Sequence, residues 1–174
     1  MTAQWIAAIE EFVRLDAAAI ASAVEPPRPE HPAEAAIPLG GGADDLRLRG
    51  RFDRLTPYRD RLVVSDYKTS GRPAHHVEAA PILKGQRLQM PLYVLLAEQS
   101  SVGAARPFVR AEVLGVGPDF AGADAAERTA ALDPGRFDQW RDGFLETLAV
   151  LRDLARSGLY PLDAASPRCR SCVY

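Results

Sequence analysis

Lysine is almost missing from this 174-residue chain: its 21 basic residues are all arginine except Lys68 and Lys84. A lysine at a given place therefore needs a reason, since arginine supplies every other positive charge. Cysteine is equally scarce. Cys169 and Cys172 sit together near the end of the chain, and one pair so close in sequence cannot staple a small fold. No apolar run approaches the roughly 18 residues that a membrane-spanning helix needs. The start MTAQWIAAIEEF carries acids where a secretory signal carries a basic flank, so the chain reads as cytoplasmic with no membrane partner. Neither sign of charge dominates, with 21 basic residues against 23 acidic ones and a net charge of -2, so any nucleic-acid site has to be a local patch. What is plentiful is apolar side chain, 47% of residues, which is enough for the core of one domain of this length.

The pattern along the chain predicts α/β architecture, a central mixed β-sheet flanked by helices. Trp5, Ile9, Phe12, Val13 and Ile20 recur at helical spacing over residues 3–20, with Thr2 as N-cap, so residues 1–24 form an N-terminal helix. Five prolines between 26 and 38 forbid a helix and make 25–33 an extended lead-in, with a short strand near 34–39. Glycines 40–42 and the residues up to Asp45 read as a turn. Residues 46–55 then alternate in strand fashion, and the β-branched run 61–69 returns antiparallel to them as a long hairpin. A loop over 70–81, a helix over 84–99 with Pro91 near its first turn, and a strand over 107–116 follow. A short helix from about 122 to 132 and a last helix over 135–157, stopped by Gly158, complete the order. Residues 34–116 hold the chemistry, and 135–174 form the closing helix and cysteine tail.

Asp53 ends one arm of the hairpin, and Asp66 and Lys68 end the other at spacing i, i+2, which sends both of the latter to one face. Two converging carboxylates repel unless a cation lies between them, and hard oxygen ligands suit Mg2+ or Mn2+. An ammonium beside them can hold an anionic oxygen, so the trio is equipped for metal-assisted phosphodiester hydrolysis. The competing reading of Asp66 and Lys68 is a solvated strand edge. Gln86, Gln89 and Tyr93 share the polar face of the next helix. Arg47, Arg49, Arg51 and Arg54 give a basic edge beside the acids, which Arg87 and Arg72 extend, as phosphate-binding groups. His31, His75 and His76 fit no metal-ligand spacing and read as surface loop residues.

The segments Gly50-Arg51-Phe52-Asp53-Arg54-Leu55, Val63-Val64-Ser65-Asp66-Tyr67-Lys68-Thr69 and Leu88-Gln89-Met90-Pro91-Leu92-Tyr93 resemble, in order and spacing, the GRIDR, VxDYKT and LQLPLY series of RecB-like nucleases of the PD-(D/E)XK superfamily. The resemblance spans residues 34–96. It implies a restriction-endonuclease-like core and a Mg2+- or Mn2+-dependent deoxyribonuclease, exonuclease rather than endonuclease, in double-strand-break repair and recombination with a helicase subunit or domain. It makes Asp53, Asp66 and the Tyr67 carbonyl metal ligands and Lys68 the catalytic lysine. Glu34 corresponds to the family's preceding acid as a further ligand. Gln89 and Tyr93 border the active site.

Pro167 to Tyr174 resembles the cysteine tail of relatives that carry a four-iron four-sulfur cluster, which makes Cys169 and Cys172 cluster ligands. Such clusters need four thiolates, and the family's upstream cysteine, final cysteine and histidine-bearing helix are not in this sequence. The implied reading is one nuclease-type domain, 1–174, cut from a larger protein that alone completes the cluster. Two alternatives stand beside it: an inactive nucleic-acid-binding or scaffolding domain of a repair complex, and a nuclease of the CRISPR-adaptation type.

Overall fold

A computed structural model of the chain describes residues 2–40, 45–102 and 108–159. Helix α1 (Ala3–Ile20) matches the sequence expectation, although Thr2 makes no side-chain capping bond. It lies on one face of a five-stranded sheet ordered β1 (Arg28–Ile37), β2 (Leu46–Pro57), β3 (Leu62–Lys68), β4 (Val109–Gly115) and β5 (Thr129–Leu132). Every neighbouring pair is antiparallel except β3 and β4, which are parallel. A parallel step needs a crossover, and α2 (Ala79–Leu83) and α3 (Gln89–Gln99) supply it on the face opposite α1.

That second face holds the main core. Ala33, Ala35 and Ile37 of β1, Phe52 and Leu55 of β2, and Val64 of β3 meet Met90, Val94 and Leu95 of α3. Gly50 marks the closest approach, because a Cβ there would lie 3.1 Å from Leu96. Helices α5 (Pro134–Asp138) and α6 (Arg141–Arg156) close the outer side through Phe137 and Phe144, both fully buried. Each such ring contributes about 1.5–3 kcal/mol by leaving water. Arg141 of α6 clamps Glu98 of α3 with two hydrogen bonds of 2.7 and 2.9 Å.

The elements depart from the sequence reading in four places. The proline-rich lead-in is itself strand from Arg28 onward, tolerated because β1 is an edge with one partner. Residues 84–88 are a turn rather than helix, with Gly85 and Arg87 at φ 78° and 52°. The helix expected over 122–132 is the single turn α4 (Ala125–Arg128), begun by a complete Asp124–Glu127 capping box. Thr129–Leu132 then pairs with β4, because ladder bonds and the burial of Leu132 outweigh the helical preference of alanine. The last helix breaks at Gln139–Trp140, where Trp140 turns out of helical geometry and packs edge-on to Phe137 and Phe144.

Candidate active site

β2 and β3 pair only as far as Arg54↔Ser65, although both strands continue past that point. Asp53 and Asp66 are the next residues on each arm, so they stand where the ladder opens. With no β2 carbonyl opposite, the Tyr67 N–H donates instead to Asp53 Oδ2 at 3.0 Å. The alternation of β2 slips at the same place. Gly50 and Phe52 face α3 from even positions and Leu55 does so from an odd one. Glu30 lies across on β1, between the paired positions Pro29↔Arg54 and His31↔Phe52, and takes up a φ of 48°.

Asp66 is 2% exposed, whereas Lys68, two residues on, is half-buried as β3 leaves the core. Lys68 Nζ lies 2.6 Å from Asp66 Oδ2 and donates to Gln89 Oε1 at 3.1 Å. The Gln89 amide nitrogen donates to Asp66 Oδ1 at 2.7 Å and to the Tyr93 hydroxyl at 3.0 Å. Only this orientation of the amide satisfies both an ammonium and a carboxylate. Tyr93 in turn donates to the Arg51 carbonyl at 3.0 Å, and its ring stacks edge-on against Phe52. Helix α3 thus reaches across to β2 and β3 through two side chains one turn apart.

Burial raises the Tyr93 phenol above its ordinary range, and the carboxylates of Asp53, Asp66 and Glu30 add to this against the opposing hydrogen bond from Gln89. The hydroxyl therefore stays protonated and remains a donor. Burial likewise raises Tyr67, with Arg54 opposing and Asp16 and Asp53 reinforcing. His76, on the single 3-10 turn Pro73–His76, is lowered by burial and then by Lys68 and Arg87, so it sits in the field of both cations.

Asp66 Oδ2 is buried and has no aligned hydrogen-bond donor, the nearby ammonium notwithstanding. A divalent ion bound here would share that oxygen with the Lys68 ammonium, and Mg2+ commonly uses one or two carboxylates while keeping waters and substrate phosphates as its other ligands. Among the described residues no three acidic, histidine or cysteine side chains form a closed cage. The hard oxygen donors present at the opening for such an ion are those of Asp53 and Asp66.

Other expected site residues lie elsewhere. Glu34 is exposed on the side of β1 away from α3 and is held by Arg49 at 2.9 Å, because the flanking Ala33 and Ala35 take the buried positions. Arg51 contacts Glu30 at 3.4 Å, and Arg47 is exposed. Arg54 is not on the basic edge at all. The slip at Asp53 turns it to the α1 face, where it is 7% exposed and bound to Asp16 and to Ser65, with Glu112 3.7 Å away. Arg87 is exposed at the turn before α3. Cys169 and Cys172 lie outside the described residues. Glu30 is the acid that sequence reasoning missed. Counting back from the turn at 40–45 sets Glu30 opposite Asp53, a signal hidden by the assumption that the prolines kept this stretch out of the sheet.

The end of β4 bears on the same spot. Val116 N–H donates to the Lys68 carbonyl at 2.9 Å, and Gly117 packs so closely on Thr69 that a Cβ would fall 1.9 Å from its carbonyl oxygen. No helix among the described residues is long and apolar enough to cross a membrane. The chain matches no curated protein. A family model described as the PD-(D/E)XK nuclease superfamily matches residues 1–174, the whole length of the chain. An open pair of acids beside a lysine at the splayed ends of two strands is thus found in a chain that belongs to the PD-(D/E)XK nuclease superfamily, whose members are generally metal-dependent nucleases.

Proposed function

We propose that this domain hydrolyses phosphodiester bonds of DNA, as an exonuclease, with Mg2+ or Mn2+ held by Asp53, Asp66 and the Tyr67 carbonyl. The observation that carries the reading is the connected set Lys68, Gln89 and Tyr93 around the buried Asp66 carboxylate, with Asp53 beside it. The bound metal would supply Lewis-acid polarisation of the phosphate and a water of lowered pKa. Lys68 places its ammonium where negative charge grows on the phosphoryl oxygens, a contribution that preorganisation makes large. Gln89 fixes the distance between that ammonium and Asp66, and Tyr93 fixes Gln89 by anchoring to the β2 backbone. The resemblance to RecB-like nucleases supports a setting in double-strand-end processing beside a helicase subunit or domain.

The test is cleavage of a labelled single-stranded oligonucleotide with Mg2+, comparing the parent with Lys68→Ala and Asp66→Ala. Loss of cleavage in both variants is expected, and equal rates in all three proteins would remove the assignment. Calorimetry with Mn2+ separates the inactive-scaffold alternative. Metal binding that disappears in Asp53→Ala supports the enzyme, and DNA binding indifferent to metal supports the scaffold.

A further inference from the structure

Two basic regions border the acids, and they differ in what their charges are already doing. On the hairpin, Arg49 is paired with Glu34, Arg51 with Glu30, and Arg54 is buried against Asp16. Except at the exposed Arg47, a phosphate arriving there would have to displace a carboxylate. On the other side, the turn between α2 and α3 carries Lys84 and Arg87, both exposed, and neither side chain has a hydrogen-bond or ion-pair partner among the described residues. Lys84 is one of only two lysines in the chain.

These two side chains line one groove of about 350 Å³ together with His75, Gln86 and the acid Glu78. The groove adjoins the site through the start of α3, because Arg87 stands two residues before Gln89, whose amide bonds both Lys68 and Asp66. Arg87 and Lys84 thus carry positive charge along the turn that leads away from the carboxylates. The lining contains no phenylalanine, tyrosine or tryptophan on which a base could stack, so the chemistry on offer is for backbone. Lys84 and Arg87, three residues apart on one turn, suit neighbouring phosphates of one strand. They do not suit the two strands across the roughly 12 Å width of a duplex major groove.

We infer that this groove seats the phosphates of a single DNA strand next to the bond being cut, with Arg87 and Lys84 each neutralising one phosphate irrespective of sequence. The inference rests on the nuclease reading above and names the path by which its substrate lies. Glu78 at the rim limits how many phosphates the groove accepts.

The test measures binding of a fluorescent single-stranded oligonucleotide between 50 and 200 mM salt, in an Asp66→Asn background that prevents turnover. Each neutralised phosphate contributes about 0.7 to the slope of log affinity against log salt for a single strand. Adding Lys84→Gln and Arg87→Gln together is expected to lower the slope by about 1.4 and to weaken binding at the lowest salt at least tenfold. The charge-preserving pair Lys84→Arg and Arg87→Lys is expected to keep the slope. Arg49→Gln should leave it unchanged. An unmoved slope in the glutamine pair, a loss as large in the charge-preserving pair, or an equal loss in Arg49→Gln would each overturn the groove. If the parent cleaves DNA while the slope stays fixed, the groove alone fails. If the parent neither binds nor cleaves DNA, the nuclease reading falls with it.

Discussion

The same two strands carry a polar cluster on each face, built from adjacent residues, and the two clusters behave differently. Arg54 and Ser65 face α1, where the guanidinium meets Asp16 and Glu112 and only its Nε is left without a partner. Although burial pulls the Arg54 pKa down, its hydrogen bond to Asp16 and the neighbouring acids hold it above its ordinary value. Asp53 and Asp66, one residue along each strand, stand where the ladder opens, and the ammonium that meets Asp66 is itself reachable from solvent. The first cluster uses its charge to tie a helix to a sheet. The second holds charge in reserve. What separates structure from chemistry here is therefore the state of pairing and access, since both clusters contain acid, base and hydroxyl.

The contrast can be broken or sharpened by experiment. Arg54→Ala should strand Asp16 and Glu112 in a nearly dry site and cost about 3–5 kcal/mol of stability by denaturant titration. The cleavage rate per folded molecule should hardly move, and an intact stability would mean that the α1 cluster is idle. Lys68→Gln should do the opposite, slowing cleavage about 10²–10³-fold in a single-turnover assay with a melting temperature close to that of the parent. A loss below tenfold would show that the ammonium only balances Asp66. Tyr93→Phe removes one anchor of Gln89, a net hydrogen bond worth about 0.5–1.5 kcal/mol, and should lower kcat by about 3- to 10-fold with KM unchanged.

The smallest effects concern pH. Folding raises the pKa of Tyr58, Tyr67 and Tyr93, chiefly by burial, so the unfolded chain loses these protons first. Their contribution to stability is complete below their unfolded pKa of about 10 and declines as pH climbs from there through the folded values. His76 runs the other way. Its folded pKa is depressed by burial and by Lys68 and Arg87, so stability drops as pH falls from about 6.5 through the folded value. Melting curves of His76→Gln across that acid range should be flatter than those of the parent.

Much of this arrangement was legible in the sequence because it depends on local pattern. The spacing of Trp5, Ile9 and Phe12 gives α1, the β-branched run before Asp66 gives β3, and the i, i+4 placement of Gln89 and Tyr93 gives a pair on one helical face. The mixed sheet with flanking helices follows from these, in keeping with a restriction-endonuclease-like core. Long-range facts were not legible. β5 reads as helix because Ala125 to Leu132 has helical preference, and only the open edge of β4 makes it a strand. Arg54 reads as a phosphate ligand because it stands in a run of arginines beside Asp53, and only the packed α1 face reveals that Asp16 holds it. Glu34 reads as a ligand from its place in the chain, and only the pleat reveals that Arg49 holds it toward solvent.

The bond from Val116 to the Lys68 carbonyl joins residues far apart in the chain across a parallel pair, the kind of pairing that forms late because a long loop must close first. Until β4 arrives, Lys68 has no backbone support on that side and Thr69 has nothing pressed against it. On the proposed nuclease reading, a chain with only its first hundred residues made would hold both acids and the lysine but lack the strand that braces them.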